Sequence, residues 1–146
     1  MRKRIISIIL LIMWAYLIFY LSDQPSEISG KLSSDVIRHT LFVNELTLNL
    51  IHNPLRELMH TIEFLVFALL FIYMLSQFNV KRIMTITFIV SIFYACFDEI
   101  HQYFVPGRAF EIIDIVLDCV GIIIALLLHF NFISCMYTEK DNLKEN

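Results

Sequence analysis

Apolar residues run along this chain in four long, nearly continuous blocks, at about residues 5–21, 55–77, 83–105 and 112–133, separated by short polar segments. Each block has the length needed to cross a hydrocarbon core, about 17–25 residues in an α-helix. The blocks do not alternate apolar and polar positions, so they predict helices and argue against a barrel; only these two structures satisfy the backbone in lipid. The pattern predicts an all-α membrane protein, a four-helix bundle forming a single domain over residues 1–146. Residues 134–146 follow as a polar tail. The first block has a second reading as a cleaved signal peptide, with Arg2, Lys3 and Arg4 as its basic start. Its apolar run is too long for that, and no small-x-small cleavage site follows Leu21.

Composition agrees with lipid as the solvent. The chain is 58% hydrophobic with a mean hydropathy of +0.72, against about 45–50% apolar residues in soluble domains. Basic residues set the expected orientation. Arg2, Lys3 and Arg4 precede the first helix, Lys81 and Arg82 occupy the turn between the second and third, and Lys140 and Lys144 follow the fourth. Alternating crossings put all three groups on one side, which the positive-inside rule makes cytoplasmic, with both termini. Residues 22–54 and 98–111 then face outward. In the first of these segments, Pro25 ends the first helix. Ser34 or Asp35 can cap a helix over about residues 36–51, lying on the outer leaflet or packed over the bundle. Asn53-Pro54 is expected to break the chain before the second membrane helix. The net charge of −3 and the lack of a basic stripe give no sign of nucleic-acid binding. Cys96, Cys119 and Cys135 have no ligand spacing and read as small buried thiols.

Topology forces a convergence. The second helix begins, the third ends and the fourth begins on the same side, and each carries polar residues there. Arg56, His60 and Glu63 are spaced i, i+4, i+7; Asp98 and Gln102 are i, i+4, with Glu99 beside them; Asp114, Asp118 and Gly121 repeat i, i+4, i+7. These spacings place each set on one helix face. Charged stripes of this kind are costly in lipid and are expected to face one another. Each residue also has a plainer reading. Arg56 can mark the membrane boundary, His60 can be a satisfied core histidine, Asp114 suits a helix N-terminus, and Arg108 can be the solvated tip of the Pro106-Gly107 turn.

Together these residues resemble the VanZ-like membrane proteins. Ser22-Asp23-Gln24-Pro25 with Ser29 and Ser33 is similar to that family's S-x-Q-P…S…S element, and Arg56-x-x-x-His60-x-x-Glu63 to its second element, with Phe64 where a tyrosine is usual. The third is the closest: Asp98-Glu99-x-His101-Gln102-x-Phe104-Val105-Pro106-Gly107-Arg108, then Asp114-x-x-x-Asp118-x-x-Gly121. The resemblance runs from about Trp14 to Leu127. It implies a small multi-pass bacterial membrane protein of a family linked to teicoplanin resistance, with no settled reaction to carry over.

Two kinds of function follow as expectations. In an enzyme of the outer leaflet, acting on a lipid-linked or cell-wall intermediate, His60 is the candidate general acid or base, tuned by Glu63, with Asp98 or Glu99 as the complementary carboxylate. Arg56, Arg108 and the helix N-termini can hold a phosphate, and Gln24, Gln102, Asp114 and Asp118 line the substrate. In a binding protein, the same residues recognise a glycopeptide, a wall precursor or a lipid headgroup without turnover. A divalent metal is a variant of the first, although no compact ligand motif is present. His101 flanks the site but points about 100° from Gln102 around the helix.

Overall fold

The computed structural model describes residues 1–25 and 45–145, with side chains at residues 1–25, 54 and 56–132. Four helices account for nearly all of this: α1 (Arg2–Ser22), α2 (Glu45–Gln77), α3 (Ile83–Tyr103) and α4 (Ile112–Glu145). Within them lie four stretches long and apolar enough to cross a membrane, Arg2–Ser22, Arg56–Gln77, Ile83–Tyr103 and Ile112–Phe132. No strand occurs among the described residues. Most large apolar side chains point away from the bundle, among them Met13, Phe93, Ile112 and Leu127. That arrangement suits lipid, where exposing an apolar group costs nothing.

The interior is small. Ile18, Phe64, Phe67, Ala68, Ala95, Ile122 and Ala125 form one cluster, and the rings of Phe64, Phe67 and Tyr94 pack within it at 4.9–6.1 Å between centroids. Small residues let the backbones close up. Gly121 of α4 lies so near α2 that a Cβ there would overlap the Thr61 carbonyl oxygen and stand 2.9 Å from the Leu65 nitrogen. The Thr61 hydroxyl donates to the Leu117 carbonyl across the same crossing, at 3.3 Å. Accordingly α2 packs most extensively against α4. α1 is tied in by aromatic side chains whose polar tips reach carbonyls: Trp14 Nε1 donates to Glu63 O at 2.9 Å, and the Tyr94 hydroxyl to Ala15 O at 2.7 Å. Such bonds matter where water supplies no alternative partner.

The two ends of the bundle differ. At one, Arg4 Nε donates to the Gln77 carbonyl at 2.9 Å and its guanidinium lies 5.2 Å from the Phe78 ring centre. A cation thus caps the C-terminus of α2, beside the turn that carries Lys81 and Arg82. The other end carries Asp98, Glu99, Glu111, Asp114 and Asp118, with His60, His101, Arg56 and Arg108.

One expectation is overturned. Asn53-Pro54 does not break the chain: α2 starts at Glu45 and contains Pro54. Proline removes one helical hydrogen bond and crowds the carbonyl four residues earlier, costing roughly 3 kcal/mol. Pro54 is exposed and precedes the membrane stretch, so the helix bears that defect where water can reach the freed carbonyl. The second helix therefore has no N-terminus beside Arg56. α4 continues as helix to Glu145, so the polar tail is helical as far as residue 145. Of the expected 36–51 helix, residues 36–44 lie outside the described residues, as do Ser26, Ser29, Gly30, Ser33, Ser34 and Asp35; from Glu45 it is continuous with α2.

Candidate functional site

The polar residues of α2, α3 and α4 meet the C-terminus of α1 in two linked groups. The first is built on Asp98, which is 3% exposed. Its Oδ2 accepts from the Ser22 hydroxyl at 2.9 Å and from Gln102 Nε2 at 2.8 Å. Gln102, one turn beyond Asp98 on α3, in turn accepts at Oε1 from Arg108 Nη1 at 2.8 Å. Arg108 also donates from Nε to Gln24 O and from Nη2 to Leu21 O, both at 3.1 Å. It closes the last turn of α1, where a helix has free carbonyls and partial negative charge. Its position follows from a type II turn: Arg108 N donates to Val105 O at 3.1 Å with Pro106 and Gly107 between them. Gly107 takes φ 77°, the left-handed value the third position of that turn requires. Burial, followed by the like charge of Arg56, lowers the Arg108 pKa from its ordinary value. A guanidinium remains charged in proteins all the same.

Glu99 joins α3 to α4. It is 1% exposed, and its Oε1 accepts from the Glu111 amide at 2.6 Å, just before α4 begins. Glu111 pairs with Arg56 at 3.2 Å on the exposed rim. Arg56 also comes within 3.9 Å of Asp114.

The second group is His60 with two carboxylates of α4. His60 Nε2 lies 3.7 Å from Asp114 Oδ2, and Nδ1 lies 3.5 Å from Asp118 Oδ1. All three side chains are buried, at 10%, 5% and 1% exposure. His60 Nδ1, Asp114 Oδ1 and Asp118 Oδ1 nevertheless have no hydrogen-bond partner. Buried polar atoms are satisfied in the great majority of cases. Three such atoms gather on this one cluster, whereas the others among the described residues, Thr87 Oγ1, Ser91 Oγ and His101 Nε2, lie outside it.

The sequence-predicted residues are therefore distributed between distinct jobs. Asp98, Gln102, Arg108 and Gln24 form the joint to α1, with Gln24 Nε2 donating to Tyr20 O at 3.1 Å. Glu99 links helices. Arg56 sits at the rim, and His60, Asp114 and Asp118 form the unsatisfied core. Glu63 shares the His60 face of α2, but no hydrogen bond or ion pair joins the two; the imidazole is turned between Asp114 and Asp118 instead. His101 faces α1, stacked on Phe19 at 4.5 Å with Nε2 3.3 Å from Asp23. Ser22 is the member that sequence reasoning passes over; its only signal is its place at the head of Ser22-Asp23-Gln24-Pro25. Among the described residues, no three His, Cys, Asp or Glu side chains take metal-holding positions.

Four helices of membrane-spanning length and composition, with a buried ionisable cluster at one end of the bundle, are those of a multi-pass membrane protein. The VanZ/LLP1 family model matches residues 7–133. The chain belongs to that family. No curated protein matches it, and no solved structure does.

Proposed function

We propose that the protein works in the bacterial cell envelope, acting on a lipid-linked or cell-wall intermediate at the outer face of the membrane and thereby lowering susceptibility to glycopeptides such as teicoplanin. The observation that carries this reading is His60 held between Asp114 and Asp118 with three buried polar atoms unpartnered. The orientation rests on charge. The bundle end with Arg4, Lys81 and Arg82 is the basic one, so the positive-inside rule places it, with both termini, in the cytoplasm and the cluster outside.

In this reading His60 moves a proton in a buried, low-dielectric cluster. Asp118 lies 3.5 Å from Nδ1 and Asp114 3.7 Å from Nε2, so a carboxylate stands beside each ring nitrogen. Arg56 at the rim meets a phosphate or carboxylate of the substrate. Among the described residues no hydroxyl or thiol is hydrogen-bonded to His60, so a serine or cysteine nucleophile activated by this histidine has no support. That same observation favours a second reading, a protein that binds a wall precursor or lipid headgroup without converting it. Mass spectrometry of envelope lipids and wall precursors, from cells with and without the gene, separates the two. A precursor that accumulates or disappears supports turnover. Identical profiles, alongside a measurable change in cell-bound glycopeptide, support binding; identical profiles with no such change contradict both.

A further inference from the structure

Resting on the proposal that the cluster is a working site, we infer that it takes a primary ammonium group, seated between Asp114, Asp118 and His60. Charge leads to it first. At this end of the bundle lie Glu63, Asp98, Glu99, Glu111, Asp114 and Asp118, against the guanidinium groups of Arg56 and Arg108. Several of these carboxylates have their own donors: Asp98 has Ser22 and Gln102, Glu99 has the Glu111 amide, and Glu111 has Arg56. Asp114 has Arg56 only at 3.9 Å, and Asp118 faces His60 alone. One imidazole, even doubly protonated, carries a single positive charge for two carboxylates. A buried carboxylate without compensation is strongly unfavourable.

Hydrogen-bond capacity narrows the ligand. The orphaned atoms are Asp114 Oδ1, Asp118 Oδ1 and His60 Nδ1, two pure acceptors and one nitrogen that accepts when its proton sits on Nε2. A primary ammonium brings one positive charge and three N–H donors. Water brings two donors and no charge. A quaternary ammonium brings charge and no donor, and a divalent ion needs a ligand set that the described residues do not form. Depth narrows it again. Asp118 lies six residues inside α4, roughly 9 Å at 1.5 Å per residue, so the amine must be small itself or sit on a flexible tether. A lipid-borne ethanolamine headgroup and a soluble alkylamine both meet these terms.

The test uses the purified full-length protein reconstituted in phosphatidylglycerol vesicles, alone or with phosphatidylethanolamine or phosphatidylcholine. In parallel, methylamine or tetramethylammonium is added to the phosphatidylglycerol sample. The readout is the temperature at which the helical circular-dichroism signal is half lost. Phosphatidylethanolamine should raise this midpoint by several degrees over phosphatidylcholine, and Asp114→Asn and Asp118→Asn should each abolish that difference. A matching gain with methylamine over tetramethylammonium assigns the site to amines in general; its absence assigns it to the lipid-borne group. Methylamine acting alone assigns it to a soluble amine. Equal midpoints in both pairs overturn the inference, as does a preference for phosphatidylethanolamine that persists in both variants. Should either variant fail to fold, the two wild-type pairs still decide. No antibiotic and no turnover enter this assay, so its failure removes the amine, while the envelope comparison judges the broader role independently.

Discussion

Ser22 and Arg108 illustrate how far a residue's job can differ from the one its charge advertises. Ser22 donates to Asp98 at 2.9 Å in a buried setting, so Ser22→Ala strips a donor from a carboxylate that keeps only Gln102. Hydrogen bonds to charged groups contribute about 1.5–3 kcal/mol. The thermal midpoint of the reconstituted variant should fall accordingly, with Ser22→Thr restoring it; an unchanged midpoint in Ser22→Ala would mean that the contact does not hold α1. Among the described residues, Arg108 reaches three acceptors from three nitrogens. A lysine ammonium lacks the planar fork that reaches them together. Arg108→Lys should therefore speed amide hydrogen exchange over residues 20–24, whereas Arg56→Lys at the half-exposed rim should leave that segment unchanged. The sequence made the identity of these residues plain and the spacing of Arg56, His60 and Glu63 readable. Partner choice was not readable. It depends on the rotation of α2 about its axis, which turns His60 toward Asp114 and Asp118, and on the direction in which the Pro106-Gly107 turn aims Arg108.

At the scale of the helix, the hydropathy blocks locate the membrane stretches well and the helix ends poorly. The apolar signal stops where lipid stops, but a helix does not, which is why α2 begins at Glu45 and α4 continues to Glu145. Proline reads as a helix terminator because it removes a hydrogen bond; in an exposed turn that loss is tolerable. Pro54→Ala should restore the bond and slow amide exchange on either side of position 54, and faster exchange there would contradict a continuous α2. Gly121 reads in the sequence as the third member of a polar stripe. In the bundle it is the contact that lets α4 approach the Thr61–Leu65 backbone of α2. Because backbone, unlike the end of a side chain, cannot move aside, Gly121→Leu must spread these helices. Overpacking typically costs about 1–3 kcal/mol; the variant should show reduced abundance and a lower thermal midpoint, while Leu127→Ala on the lipid-facing side should match wild type.

At the scale of the whole molecule, a family, a topology and a buried polar cluster come together. Four apolar helices and the VanZ/LLP1 match over residues 7–133 establish the class. The convergence of three polar stripes at one end was legible because an even number of crossings leaves them no other place to meet. The division of that end into a satisfied joint around Asp98 and an unsatisfied core around His60 appears only in three dimensions. The central claim is that this core is the part that works. Teicoplanin susceptibility measured in three matched strains tests it most directly: one lacking the gene, one carrying the wild-type gene and one carrying Asp118→Asn, with the protein quantified in each membrane fraction. The account predicts that the wild type tolerates more drug than the deletion and that Asp118→Asn, present at wild-type abundance, is as susceptible as the deletion. Equal tolerance in the wild type and the deletion, or full protection by Asp118→Asn, would contradict it.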